Sequence, residues 1–317
     1  ILKLITSLIE TLCFIPELIR KKNSSINSSQ KEYKLTTKNY FQILFVSFVS
    51  LIADFSSILF NRAEENSLLV LNYVLTLLFV SLISIFLFKN EYYKHQYISL
   101  ALIIIISLSK ELYNIVDHFK NEEHSERIMN LLPYIILLLI IKSVFLSLSI
   151  GTSKYCMDTM YISPYKLTYI VGIIKSVVLL ILCIISSLIS CREDFSYFCW
   201  TQADGVIYFD SFKSFFNKKE QLLSAFSSMF FFAIIGLLIN IFIQKYTLFH
   251  YILYMKISSC IQFIQGLIFY DNYSAGYIIR ELIFDFVDIL LLLIFLEFIE
   301  LNFCGLNENL KKNIMQR

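Results

Sequence analysis

Three consecutive apolar runs, Phe41–Phe60, Leu68–Phe88 and Tyr97–Val116, joined by the short polar turns NRAEEN and KNEYYKHQ, constrain this chain more than any other feature. Each is about 20 residues long, and at ~1.5 Å per residue that matches the ~30 Å hydrocarbon core of a bilayer. After the charged loop DHFKNEEHSER the theme repeats at Ile128–Gly151, Tyr165–Ser190, Leu222–Ile243, Thr247–Phe269 and Ile278–Ile299. The chain therefore reads as all-α, a polytopic membrane bundle of about nine visible helices if the partial apolar stretch Ile1–Ile19 is counted. Composition agrees: 57% hydrophobic and 16% charged residues over 317, with a mean hydropathy of +0.67, leave little for a water-soluble domain.

The same composition excludes several functions. Phe 30 and Tyr 20, beside abundant Ile, Lys and Asn, reflect a coding bias, so no single aromatic carries weight. A net charge of +2 with basic residues spread over loops gives no reason to expect a nucleic-acid partner. The cysteines, at 13, 156, 183, 191, 199, 260 and 304, show no CxxC or Cys/His ligand spacing, and His95, His118, His124 and His250 lie in or beside turns. Neither a metal nor another cofactor is expected. Cys191 and Cys199 share one loop and are equally compatible with a disulfide or two thiols. Ile1–Ile19 lacks the basic leader and cleavage site of a signal peptide and reads as the tail of a helix that starts upstream.

Charge sets the expected topology. Arg20, Lys21, Lys22, Lys31, Lys34 and Lys38 crowd the polar segment after Ile19, and basic short loops stay cytoplasmic. Alternating from there puts Lys89, Lys94, Lys154, Lys166, Lys245 and the tail lysines on the same side. Acidic Glu64, Glu65, Glu122, Glu123, Glu126, Glu193 and Asp194 then face out or into a lumen. Lys213, Lys218 and Lys219 are the exception.

Function must be sought in the polar residues that the spans carry. Ser47, Ser50, Asp54, Ser57 and Asn61 recur at i, i+3, i+7, i+10 and i+14, on one helical face. That face meets either a neighbouring helix or a water-filled cavity. Ser143, Ser147 and Gly151 form a small-xxx-small pattern suited to close helix contact, and Ser163-Pro164 marks a helix start. Lys142, Lys175 and Lys256 each sit near the middle of a different span, too deep for a four-carbon stem to reach an interface. Three accounts fit them. They pair with Asp54, Asp285 and Asp288; or one or two, Lys256 first because Gln262 and Gln265 share its helix, meet an anionic solute; or Asp54 or Asp288 relays protons. The candidate solute-binding set is Asp54, Asn61, Lys142, Lys175, Lys256, Gln262 and Asp288. No GxSxG, HxxxxD or one-face histidine pair is present, so an enzyme is not expected.

The run from Ile52 to Leu112, with its stripe around Asp54, the block NYVLTLLFVSLISIFLFKNEYYKHQYISLALIIIIS, and then KYCMDTMYISPYK, resembles the drug/metabolite transporter superfamily and its nucleotide-sugar-transporter-like branch of solute carriers. The segment ELNFCGLNENLKKNI resembles the tail of protist members of that group. The resemblance implies ten helices in two inverted five-helix repeats: 1–118 the first, short of its first helix, 119–302 the second, and 303–317 a cytosolic tail. It implies secondary-active transport of a small organic, anionic solute by alternating access, in a Golgi, ER or vesicular bilayer, with homodimerisation open. The competing expectation is a non-transporting multipass protein of the same fold, with a trafficking or assembly role.

Overall fold

The computed structural model describes residues 2–27, 36–63, 69–90, 92–119, 125–188, 219–269 and 275–299, some near helix ends by backbone alone. Among them are ten α-helical segments: α1 (Leu2–Thr11), α2 (Phe14–Asn27), α3 (Thr37–Ala63), α4 (Leu69–Phe88), α5 (Lys94–Phe119), α6 (Ser125–Met160), α7 (Pro164–Leu188), α8 (Lys219–Lys245), α9 (Leu248–Phe269) and α10 (Ala275–Phe295). Three stretches among the described residues are long and apolar enough to cross a membrane: Thr37–Ser57 in α3, Pro133–Met160 in α6 and Pro164–Leu182 in α7. The apolar stretches Asn72–Phe88, Met229–Lys245 and Leu248–Ile261 are shorter. The loop holding Cys191, Cys199 and Trp200, and the segment from Glu300 onward, lie outside the described residues.

Two differences from the sequence reading have plain causes. The stretch Ile1–Ile19 is two helices rather than one, broken at Leu12–Cys13. Pro16 has no N–H to give the Leu12 carbonyl and its ring would clash there. The chain tightens instead, with Leu12 bonded to Ile9, Cys13 to Glu10 and Ile15 to Leu12. The expected connection after Gly151 is helical as far as Met160, because TSKYCMDTM contains neither Gly nor Pro to stop α6. The stop comes at Tyr161, with φ 52°, just ahead of Pro164.

The chain forms two compact units, interleaved in sequence. One comprises residues 1–51 and 156–244. In it α1 and α2 pack on α7. Gly172 allows the approach: a Cβ there would stand 2.9 Å from the Glu10 Cβ, 3.0 Å from the Ser7 carbonyl oxygen and 3.1 Å from the Thr11 nitrogen. Buried Glu17 accepts hydrogen bonds from Arg20 at 2.9 Å and from the Ser163 hydroxyl at 2.6 Å. Ser163 Oγ in turn accepts from the Lys166 amide at 3.1 Å, which makes it the N-cap of α7. Asn240 on α8 donates to Thr168 at 3.0 Å.

The second unit comprises residues 52–155 and 245–317. Here α5 packs on α4 and α10, and α9 packs on α4 and α10. The small-residue row of α6 lies against α4: Ser143 Oγ donates to Asn72 at 3.3 Å, Ser147 Oγ to the Thr76 carbonyl at 3.2 Å, and Gly151 leaves room for Ile83. The α4–α5 turn is pinned at both ends. Asn90 donates to Ser84 Oγ at 2.7 Å, and Gln96 accepts from the Tyr93 amide at 3.0 Å while donating to the Phe295 carbonyl at 3.2 Å. α10 closes with Glu297 at φ 62°, its amide bonded to Ile294 and that of Phe298 to Leu293, the double bond of a Schellman end.

Candidate functional site

α10 is polar inside and apolar outside. Glu281, Asp285 and Asp288 fall at i, i+4 and i+7 on one face and are buried, whereas Ile279, Ile283 and Phe286 are 59%, 58% and 68% exposed. Water would select the opposite arrangement. A lipid surround would select this one, since an ionised group in hydrocarbon costs about 2.5–3.5 kcal/mol or more and must turn to the protein interior, although α10 is not among the described stretches long and apolar enough to cross a membrane.

The three carboxylates meet two ammonium groups supplied by neighbouring helices of the same unit. Lys110 of α5 lies 2.5 Å from Glu281 Oε2 and 3.0 Å from Asp285 Oδ1. Lys256 of α9 lies 2.9 Å from Asp285 Oδ1 and 2.8 Å from Asp288 Oδ2. Asp285 thus bridges both lysines, and the Cys260 thiol donates to its other oxygen at 3.5 Å. Ser107 Oγ donates to both oxygens of the fully buried Asp288, at 3.3 and 3.4 Å. From α4 the Tyr73 ring lies under Lys256, with Nζ 5.0 Å from its centroid. At the far end Arg280 stacks 4.0 Å over Tyr113 and stands 3.9 Å from Glu281 Oε1. Buried polar atoms here, Tyr73 Oη and Glu281 Oε1 among them, have no hydrogen-bond partner among the described residues.

The arrangement can hold charge out of water and exchange it, because each lysine already shares its protons between two acceptors. It offers no activated nucleophile. Among the described residues no three His, Cys, Asp or Glu side chains converge as metal ligands.

Of the seven candidates named from sequence, Lys256 and Asp288 are joined directly, at 2.8 Å. Lys142 is buried on α6, Lys175 is buried on α7 in the other unit, and Asp54 is half-buried on α3. The side chains of Asn61 and Gln262 lie outside the described residues. The pairing account sets Lys142, Lys175 and Lys256 together against Asp54, Asp285 and Asp288; of these the structure joins Lys256 to Asp285 and Asp288. Lys110 and Glu281 are not among the residues that account pairs. Lys110 stands six residues before the expected span end at Val116, and Glu281 three after the start at Ile278, where a long side chain reaches an interface. Their shared signal was the i, i+4, i+7 row of acids on α10, which needs cations opposite it.

Helical architecture, candidate spans and an inward-facing ion network together give the protein the general character of a multipass membrane protein. No family model matches the chain, and no curated protein matches it in sequence.

Proposed function

We propose that this is a secondary-active membrane transporter of a small organic solute, working by alternating access and belonging to the drug/metabolite transporter superfamily in an endomembrane. The observation that supports it is the buried network of Lys110, Lys256, Glu281, Asp285 and Asp288 on three packed helices. Intramembrane ionisable groups are costly, and transport proteins use them to bind and release charged cargo. In this reading an anionic group of the solute competes with Asp288 for Lys256, so that binding loosens α9 from α10. The test is uptake by proteoliposomes holding the protein, screened against nucleotide sugars, nucleotides and small organic anions, with Lys256→Ala in parallel. Saturable uptake by the wild type, lost in the variant, supports the reading. Absence of uptake by folded wild-type protein overturns it.

A second reading draws on the closeness of the same contacts. With both ammoniums held at 2.5–3.0 Å by carboxylates, the network is equally suited to brace a non-transporting membrane protein with an assembly or trafficking role. Wild-type levels of a folded but transport-silent protein would favour it.

A further inference from the structure

The ion network is a chain rather than a knot. Its order is Glu281, Lys110, Asp285, Lys256, Asp288, each link between 2.5 and 3.0 Å. From Glu281 to Asp288 it follows seven residues of α10, about 10 Å along the helix axis. Both ends carry a buried polar atom that nothing described satisfies: Glu281 Oε1 at one, and at the other the hydroxyl of Tyr73, whose ring lies under Lys256. Orphaned buried oxygens of this kind call for a ligand or water. Within the chain itself three carboxylates face two ammoniums, and the third cation lies beyond hydrogen-bond distance. Arg280, 18% exposed and 3.9 Å away, stands at the margin of Glu281.

We propose that this chain is a proton-binding site, taking up one proton at Glu281 Oε1. Loading transfers a proton from hydronium to the carboxylate, forming one O–H bond and leaving water. Lys110, bound to the other oxygen Oε2, keeps its own protons, so the loaded proton stays on Oε1. A metal cation fits poorly, since the ammonium groups occupy the oxygen lone pairs that it would need. The groups facing the chain are Tyr73 from α4, Ser107 and Tyr113 from α5, Cys260 from α9 and Arg280 on α10 itself. Of these only Arg280 brings a positive charge, and at 3.9 Å it is beyond hydrogen-bond distance of Glu281 Oε1, the oxygen that the proton takes. The inference rests on the transport reading for its purpose, coupling solute movement to a proton gradient, but its test does not require any solute to move.

The test is infrared difference spectroscopy of the full protein in lipid, between alkaline and acid buffer, on wild type, wild type with carboxyl-labelled glutamate, and Glu281→Gln. The expected result is a carboxylic-acid carbonyl band that grows on acidification, shifts with labelled glutamate and is lost in Glu281→Gln. The helical amide band of the same samples reports whether the variant is folded, and the labelled wild type answers even where it is not. A wild type in which no acid band follows the glutamate label overturns the proposal. So does a labelled band that survives unchanged in folded Glu281→Gln. Failure of every uptake assay would leave this readout intact.

Discussion

Lys256 is gripped by two aspartates, and what each substitution there leaves behind decides its cost. Lys256→Met keeps the stem and removes the charge, so Asp288, with no solvent exposure, loses its closest counter-ion. Breaking a buried pair from one side typically costs about 3–5 kcal/mol, whereas removing both charges is often close to neutral. Thermal unfolding in detergent should therefore drop steeply for Lys256→Met and recover for the most part in Lys256→Met with Asp288→Asn. His95, ahead of the apolar part of α5, supplies a pH dependence. Its ring is 2% exposed, stacks on Tyr93, and lies 3.5 Å from Glu297 without hydrogen-bond geometry. Burial holds its imidazole below the ordinary 6.5, with Glu297 pulling the other way. The unfolded chain then binds the proton first. The contribution of His95 is fully present above about pH 6.5 and is lost as pH falls through the folded value. His95→Gln should flatten that part of a stability–pH curve, read by unfolding across mildly acid buffers.

At the scale of elements, most of what positions the site was legible and the unread part has physical reasons. The apolar period and length located helices, of which three carry a described stretch long and apolar enough to cross a membrane, and Ser163-Pro164 marked the start of α7, because caps and prolines act locally. The reach of α6 to Met160 was not legible, since a helix outlasts its apolar stretch whenever nothing stops it. Nor could Lys110 be matched to Glu281 and Asp285, 171 and 175 positions away, from a pattern within one helix. Gly172 is the element-scale test. Its neighbours on α1 are largely backbone atoms at 3.0–3.1 Å, which cannot rotate aside. Gly172→Ala should force α1 off α7 and lower stability by about 1–3 kcal/mol, the usual cost of overpacking. Gly276, with nothing within 4 Å, is the control that should tolerate alanine.

Over the whole molecule, the distribution of exposed side chains says more than the composition does. Phe41, Phe86, Phe231 and Phe286 are each more than 60% exposed, while Ser107, Lys110, Lys256 and Asp288 are buried: these charged and hydroxyl groups are inside and these rings outside. A solvent of lipid tails is what such a surface is built for. One dimension of α6 then acquires a meaning. Its 28-residue apolar stretch, Pro133–Met160, is about 42 Å long, against ~30 Å of hydrocarbon. Such a mismatch is met by tilting, by a locally thicker bilayer or by an end that stands out among the headgroups. Reconstitution in lipids of increasing acyl-chain length should accordingly raise the unfolding temperature until the bilayer matches this helix, making membrane thickness itself a variable to which the protein responds.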